Sequence, residues 1–158
     1  MKRYWPLILV ILFSSAGGVA LLGITYSRSL MNWMINFSAF FFLFLSFFKL
    51  LDLKGFSDGF KQYDLLAEKS EFYSYLYPFL ELAIALGFFA RVFIVGIAIF
   101  TAILMIFGVL GVINAVFQKK QLRCACMGTK LNLPLTTVSI VENIAMGIMS
   151  IFMTINSF

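Results

Sequence analysis

The chain has 158 residues, of which 62% are hydrophobic and 12% are charged, and its formal net charge is +5. Soluble domains carry about 25% charged residues, so this composition excludes a soluble globular protein and indicates an integral membrane protein. The chain contains no histidine, the commonest general base and metal ligand, and its two cysteines are too few for a disulfide-rich scaffold. The basic residues separate apolar runs and form no continuous stripe, which argues against nucleic acid as a partner.

Five apolar runs are long enough to cross a membrane as helices, which need roughly 20 residues each. Lipid cannot satisfy an exposed backbone, and the runs lack the alternation of barrel strands, so helices are the only plausible spanning elements. No internal repeat or flexible linker divides the chain. The sequence therefore predicts an all-α integral membrane protein with a single transmembrane domain over residues 1–158. The predicted spans are, to within a few residues, Tyr4–Tyr26, Asn32–Leu51, Tyr73–Ala90, Val92–Phe117 and Leu135–Ile155.

The first run allows two interpretations. Lys2 and Arg3, an apolar stretch and the small residues 14–18 resemble a cleavable signal peptide. The apolar character continues through residues 19–24, however, which makes the run longer than a usual signal core. We therefore favour a retained helix, and whether it is ever cleaved stays open.

The distribution of lysine and arginine predicts the orientation of the bundle. With a cytoplasmic N-terminus, every basic residue except Arg28 and Arg91 lies on the cytoplasmic side, in agreement with the positive-inside rule. This pattern predicts a bacterial inner (cytoplasmic) membrane protein. It also places the basic segment 118–134 in the cytoplasm, where thiols are kept reduced.

The segment between the second and third spans, Asp52–Phe72, is predicted to contain a short amphipathic helix. Phe56, Phe60, Tyr63 and Ala67 recur at helical spacing, and charged residues occupy the other faces. Such a helix would lie in the cytoplasmic interface of the membrane. The alternative is a soluble lid that packs over the ends of the spans.

Cys124 and Cys126, the only cysteines in the chain, lie in the basic segment 118–134. Arg123 and the nearby lysines favour the thiolate, which is the reactive form of cysteine. A disulfide needs Cα atoms within about 6.8 Å, which residues i and i+2 can reach in a bent segment. Thiolates also bind copper, zinc and other soft ions such as mercury, and the thioether of Met127 suits Cu(I) as a third ligand. The pair is therefore a candidate catalytic dithiol or a candidate metal site.

Polar residues within the predicted spans form a second candidate site. A charge at the centre of a membrane helix costs roughly 2.5–3.5 kcal/mol on insertion scales, so it requires a partner or a function. Lys49, Glu81 and Glu142 all fall in the cytoplasmic half of the membrane, the two glutamates about seven or eight residues into their spans, and Asn143 adds an amide. The cluster could guide ions or protons, or it could clamp the helices together, which we favour for Lys49 and Glu81. Because one lysine cannot fully balance two carboxylates, one glutamate is expected to be protonated.

Three short motifs follow one another in a recognisable order. They are Phe48-Lys49-Leu50-Leu51-Asp52 followed by Gly55-Phe56, Tyr77-Pro78-Phe79-Leu80-Glu81 with Gly87, and Cys124-Ala125-Cys126-Met127-Gly128 before a last helix that contains Asn143. From about residue 32 to the C-terminus, the chain resembles the MauE/DoxX superfamily of small membrane proteins. The Cys-x-Cys-x-Gly before the final span resembles the MauE branch.

This resemblance implies a DoxX-like four-helix transmembrane bundle over about residues 32–155, to which the helix at about 4–26 is an addition. It also implies a redox association, usually with a thioredoxin-like protein, and a thiol role for Cys124 and Cys126. The additional helix departs from the family pattern, so the methylamine-pathway role is not carried over. The family's polar signature would comprise Lys49, Asp52 and Glu81.

The leading hypothesis is a membrane thiol-redox component in which Cys124 and Cys126 exchange electrons or disulfides with a thioredoxin-like partner. One pair cannot relay electrons across a bilayer, so this hypothesis needs a partner protein or a bound quinone-like carrier. The alternative is a transport or delivery protein for copper, mercury or zinc, with a metallochaperone as partner. A third hypothesis is an assembly subunit. Enzymatic activity and homo-oligomerisation stay open.

Overall fold

A computed structural model describes residues 5–24, 29–117 and 135–156 of the chain. These residues form helices joined by turns, with no strand among them, which confirms the all-α prediction. The helices are α1 (Trp5–Ile24), α2 (Leu30–Leu51), α3 (Leu53–Phe60), α4 (Glu71–Ala90), α5 (Ile94–Phe117) and α6 (Leu135–Ile155).

The described helices have the lengths and apolar composition of a membrane protein. Three segments are long and apolar enough to cross a membrane, namely Leu30–Leu51, Glu71–Ala90 and Ile94–Ala115. The first and last helices contain shorter apolar stretches, Leu7–Gly23 and Glu142–Ile155. The five predicted spans therefore correspond to α1, α2, α4, α5 and α6, and their ends differ from the prediction by at most two residues.

Two helix pairs build the bundle. α2 packs along α4, and α5 packs along α6, while contacts of α4 with α5 and of α2 with α6 join the two pairs. Phe42, Leu45 and Phe88 are fully buried in the core. α1 packs against α2, where Gly18 permits a close approach, because a Cβ atom there would lie 3.3 Å from the backbone nitrogen of Phe37.

Residues 53–69, here called the lid segment, cover one end of the bundle. The prediction of an amphipathic helix is correct for α3, but the helix ends at Phe60 and residues 61–69 form turns. Phe56, Phe60, Tyr63 and Ala67 are nevertheless all buried, at 8% exposure or less. Since these side chains are covered by protein, the segment is the lid of the second interpretation.

A polar clamp joins three elements at the opposite end of the bundle. Arg91 ends α4 in the left-handed backbone region, with φ of 53°. Its guanidinium donates hydrogen bonds to the side-chain oxygens of Asn32 at 2.7 Å and Asn36 at 2.9 Å. The amide of Asn36 donates in turn to the carbonyl oxygen of Gly18 in α1 at 3.4 Å. The signal for this clamp in the sequence is Asn36, an amide inside an otherwise apolar span.

Candidate functional site

A buried ion-pair cluster joins three helices at the lid end of the bundle. The Nζ atom of Lys49 in α2 lies 2.5 and 2.7 Å from the two carboxylate oxygens of Glu81 in α4. The same nitrogen lies 3.8 Å from Oε1 of Glu142 in α6. The three side chains are 3%, 0% and 4% exposed, in that order. A buried ammonium group therefore donates to both oxygens of one carboxylate and faces a second.

The lid segment explains how Lys49, near the end of α2, reaches Glu81 in the middle of α4. Lys49 lies two residues before the end of α2, whereas Glu81 lies ten residues after the start of α4 at Glu71, roughly 15 Å along the helix axis. The first turns of α4 run beside α3, where the hydroxyl oxygens of Ser57 and Ser74 are 2.5 Å apart. α4 thus begins beyond the end of α2. Glu81 lies further along its helix than the sequence predicts and is still level with Lys49.

Aromatic rings of the lid and of α4 surround the ammonium group. The Nζ atom of Lys49 lies 5.4 Å from the ring centroid of Phe56 and 5.0 Å from that of Tyr77, both within cation–π distance. Phe60 packs against both rings, with centroid separations of 5.0 Å and 4.5 Å. These ring faces replace part of the hydration that the lysine loses on burial.

A small cavity lies beside the cluster. Its volume is about 10 Å³, which is about the space that one water molecule requires. Glu142, Asn143 and Tyr63 contribute to its walls. Asn143 packs against Gly108 of α5, where a Cβ atom would lie 2.9 Å from the amide nitrogen. The glycine therefore leaves the room that the amide side chain occupies.

Polar contacts hold the lid segment in place. Lys61 donates a hydrogen bond to Glu71 at 2.8 Å, and this bond raises the pKa of Lys61. The buried carboxylate of Asp64 accepts hydrogen bonds from the backbone N–H groups of Leu66 and Ala67, both at 2.9 Å. Burial raises the pKa of Asp64 against these two bonds, which lower it. The two hydrogen bonds to Asp64 thus fix the backbone of residues 64–67, although this part of the lid segment is not helical.

The predicted thiol and metal ligands, Cys124, Cys126 and Met127, lie outside the described residues. Their segment, 118–134, connects the C-terminus of α5 to the N-terminus of α6. Both helix ends belong to the lid end of the bundle, since Gly111 in the later part of α5 contacts the lid backbone. Within residues 5–24, 29–117 and 135–156, no group of three or more Asp, Glu, Cys or His side chains is placed to hold a metal ion.

Sequence reasoning missed the aromatic cover of the cluster. Of the four residues that the sequence predicts to form one cluster, Lys49, Glu142 and Asn143 line the small cavity together with side chains of the lid. The fourth, Glu81, belongs to the same site through its ion pair with Lys49. The signal for Tyr77 is its position four residues before Glu81, because residues one helical turn apart share a face. The lid aromatics carry no comparable signal, since their approach to Lys49 depends on how the lid folds back over α2.

Comparison with known proteins identifies one family. A family model described as "Methylamine utilisation protein MauE" matches residues 27–156 of the chain. The matched range includes α2 to α6, the lid and the segment that carries the cysteine pair, whereas α1 precedes it. Neither the curated proteins nor the solved structures gave a significant match.

Proposed function

Because the chain belongs to the MauE family, we propose that it is a membrane thiol-redox component in which Cys124 and Cys126 exchange disulfides with a thioredoxin-like partner. The observation that carries this proposal is the family match, whose range includes both cysteines and the buried Lys49 cluster. Methylamine utilisation is the process that the family's description names, and dithiol chemistry is what this chain would contribute to it.

The proposed reaction is thiol–disulfide exchange. A thiolate of the reduced partner attacks the Cys124–Cys126 disulfide, and a mixed disulfide forms while one cysteine leaves as a thiolate. The second thiolate of the partner then breaks the mixed disulfide. Two electrons pass from the partner dithiol to the cysteine pair, and the two protons of the partner dithiol are balanced by those that the new thiols take up. The reaction is reversible, and the relative reduction potentials set its direction.

The residues that flank the cysteine pair in the sequence support this chemistry. Arg123 and the lysines of segment 118–134 favour thiolate over thiol. The helices that flank this segment in the chain are α5, which ends at Phe117, and α6, which begins at Leu135. Electrons that continue across the membrane would require a partner protein or a quinone-like carrier.

The experiment that tests this proposal uses single-cysteine variants of the full chain. Cys126→Ser is expected to form a mixed disulfide through Cys124 with a soluble thioredoxin that lacks its resolving cysteine and carries its remaining cysteine as a mixed disulfide with thionitrobenzoate. The Cys124 thiolate attacks that disulfide and thionitrobenzoate leaves, and neither protein then holds a second thiol that could break the new bond. Non-reducing electrophoresis detects the adduct, and Cys124→Ser/Cys126→Ser is the control. If neither single variant forms an adduct that the double variant lacks, the thiol-exchange proposal is wrong.

Soft-metal handling is the alternative function. A Cys-x-Cys pair followed by Met127 is a donor set that suits copper, mercury or zinc, and a metallochaperone would be the expected partner. Since no metal cluster lies within the described ranges, the ligands would come from segment 118–134. Titration with Cu(I) or Hg(II) distinguishes this function, because stoichiometric binding that the double serine variant loses, in a chain that forms no mixed disulfide, would replace the redox proposal.

We also propose that the pair faces the cytoplasm in a bacterial inner membrane, as the distribution of lysine and arginine indicates. In sealed vesicles of known orientation, a membrane-impermeant maleimide is expected to label Cys124 and Cys126 from the cytoplasmic side. The double serine variant provides the background. Labelling from the periplasmic side alone would reverse the proposed orientation.

A further inference from the structure

Arg91 lies at the end of the bundle opposite the lid, directly after the membrane helix α4. Its half-buried guanidinium donates to two uncharged amide side chains, those of Asn32 and Asn36. These hydrogen bonds fix the position of the guanidinium, but they leave its positive charge unbalanced, because an amide carries no net charge. Arg91 is therefore a fixed cation at the boundary of the membrane.

The acidic residues of the chain are all remote from this cation. The chain has seven of them, namely Asp52, Asp58, Asp64, Glu68, Glu71, Glu81 and Glu142. Each belongs to the lid segment, to the residues that border it or to the buried cluster at the lid end. Glu81 lies ten residues before Arg91, roughly 15 Å along the axis of α4, and is paired with Lys49. Since no aspartate or glutamate balances Arg91, its position favours an anion from outside the chain.

Two apolar cavities lie beside Arg91 and the turn that joins α4 to α5. The first has a volume of about 480 Å³, and Arg91, Phe93 and the first residues of α5 form its walls. The second has a volume of about 350 Å³, shares Phe93 and Gly96 with the first, and extends along α4 to Leu80. Arg91 is the only polar side chain that lines either cavity. Together they form an apolar groove, here called the outer groove, with a cation at one end.

The turn before α5 holds Phe93 in an unfavourable backbone conformation. Its φ of 56° lies in the left-handed region, as does the φ of Arg91 two residues earlier. A bulky residue rarely adopts this conformation, which costs free energy and occurs preferentially where a protein holds a ligand. The ring is 83% exposed and lies over Gly96, where a Cβ atom would be 2.5 Å from the ring carbon Cδ1. The turn thus places an aromatic face beside the cation.

We propose that the outer groove binds one anionic phospholipid, with its phosphate on the guanidinium of Arg91 and its acyl chains along the apolar walls. Charge complementarity selects the headgroup, because Arg91 has no acidic partner and guanidinium groups pair well with phosphate. The apolar walls select a lipid over a soluble anion, which would leave them uncovered. The site involves neither cysteine, so it does not depend on the thiol-exchange proposal.

Native mass spectrometry of the full chain in detergent micelles tests the proposal. The chain is titrated with phosphatidylglycerol or with phosphatidylethanolamine of the same acyl chains, and the fraction that carries one lipid gives an apparent Kd. The wild-type chain is expected to bind the anionic lipid about fivefold more tightly, which is the effect of one basic residue on an anionic headgroup. Arg91→Gln should remove this preference. Equal affinity of the wild-type chain for both lipids, or a preference that persists in Arg91→Gln, would overturn the proposal.

A second cation provides the matched control for charge. Lys120→Gln makes the same change of charge in the basic segment 118–134, which also attracts anionic lipid. This variant is expected to keep the preference for phosphatidylglycerol. If Lys120→Gln loses the preference and Arg91→Gln keeps it, the anionic lipid binds segment 118–134 and the proposed site is wrong.

A variant that fills the groove tests the apolar part of the site. Ala83 is an exposed wall residue on α4, eight residues before Arg91, and Ala83→Trp should weaken the binding of both lipids. Ala20→Trp on the exposed face of α1 is the matched control and should bind both lipids as the wild-type chain does. Because the Ala83 side chain is exposed, this variant decides the question even if Arg91→Gln does not fold.

Three results of the groove experiment would overturn the proposal. Unchanged lipid binding in Ala83→Trp would show that the lipid does not occupy the groove. Displacement of phosphatidylglycerol by an equal concentration of soluble glycerol phosphate would indicate a site for free anions. A wild-type dimer that dissociates in Ala83→Trp would indicate that a second copy of the chain covers the groove.

Discussion

Replacement of Lys49 by methionine is expected to lower the free energy of unfolding by about 3–5 kcal/mol. The lysine is buried and donates to both oxygens of Glu81, so its removal leaves a carboxylate at 0% exposure without its ammonium partner. Methionine has a similar length and an apolar chain, so loss of packing contributes little. Equilibrium unfolding in detergent micelles, followed by helical circular dichroism, measures the change.

Two further variants distinguish the cost of leaving a buried carboxylate unpaired from the cost of losing a lysine side chain. Lys61→Met removes the cation of the exposed pair with Glu71 and is expected to change stability very little. Lys49→Met combined with Glu81→Leu removes both buried charges and should recover most of the loss, because apolar replacement of a buried ion pair is often neutral or stabilising. Equal losses for Lys49→Met and Lys61→Met would contradict a buried charge cluster.

Replacement of Gly111 by alanine is expected to loosen the lid. A Cβ atom at this position would lie 2.7 Å from the carbonyl oxygen of Tyr63 and 3.1 Å from the Cα of Asp64, both of which are backbone atoms. Overpacking of this kind costs about 1–3 kcal/mol, which corresponds to roughly 5- to 150-fold in the opening equilibrium of the lid. Hydrogen–deuterium exchange of the backbone amides in residues 61–70 measures that change.

Gly147→Ala is the matched control for the lid experiment. Gly147 also lies within a membrane helix, but a Cβ atom there would make an ordinary 3.6 Å contact with the Cβ of Met105. Exchange in residues 61–70 should therefore stay at the wild-type rate in this variant. If Gly111→Ala leaves the rate unchanged as well, the lid is not held by its contact with α5.

The spans and their polar residues could be predicted because each depends on a local property of the chain. Long apolar runs identify α1, α2, α4, α5 and α6, and a charge within such a run is visible without any structure. The pairing of Lys49 with Glu81 could also be predicted from the sequence, since both residues fall in the cytoplasmic half of their predicted spans. These predictions used hydropathy and charge, which the bilayer itself constrains.

The lid and the position of Glu81 depend on tertiary contacts that local patterns do not encode. The helical spacing of apolar residues continues to Ala67. The side chain of Asp64, however, accepts hydrogen bonds from the backbone N–H groups of Leu66 and Ala67, so the chain forms a turn there in place of a helix. That turn allows α4 to start beside α3. The approach of Phe56 to Lys49 then follows from the folded lid, which is why periodicity alone did not indicate it.

The separation of the ion-pair partners along the chain has a consequence for biosynthesis. Lys49 lies 32 residues before Glu81 in the chain, so α2 leaves the ribosome before α4 can dock beside it. Because Lys49 lies two residues from the end of α2, its side chain can reach the membrane surface during this interval. Docking of α4 then draws the ammonium group inward, and Glu142 joins when α6 is inserted. The order of translation therefore sets the order in which the cluster is assembled.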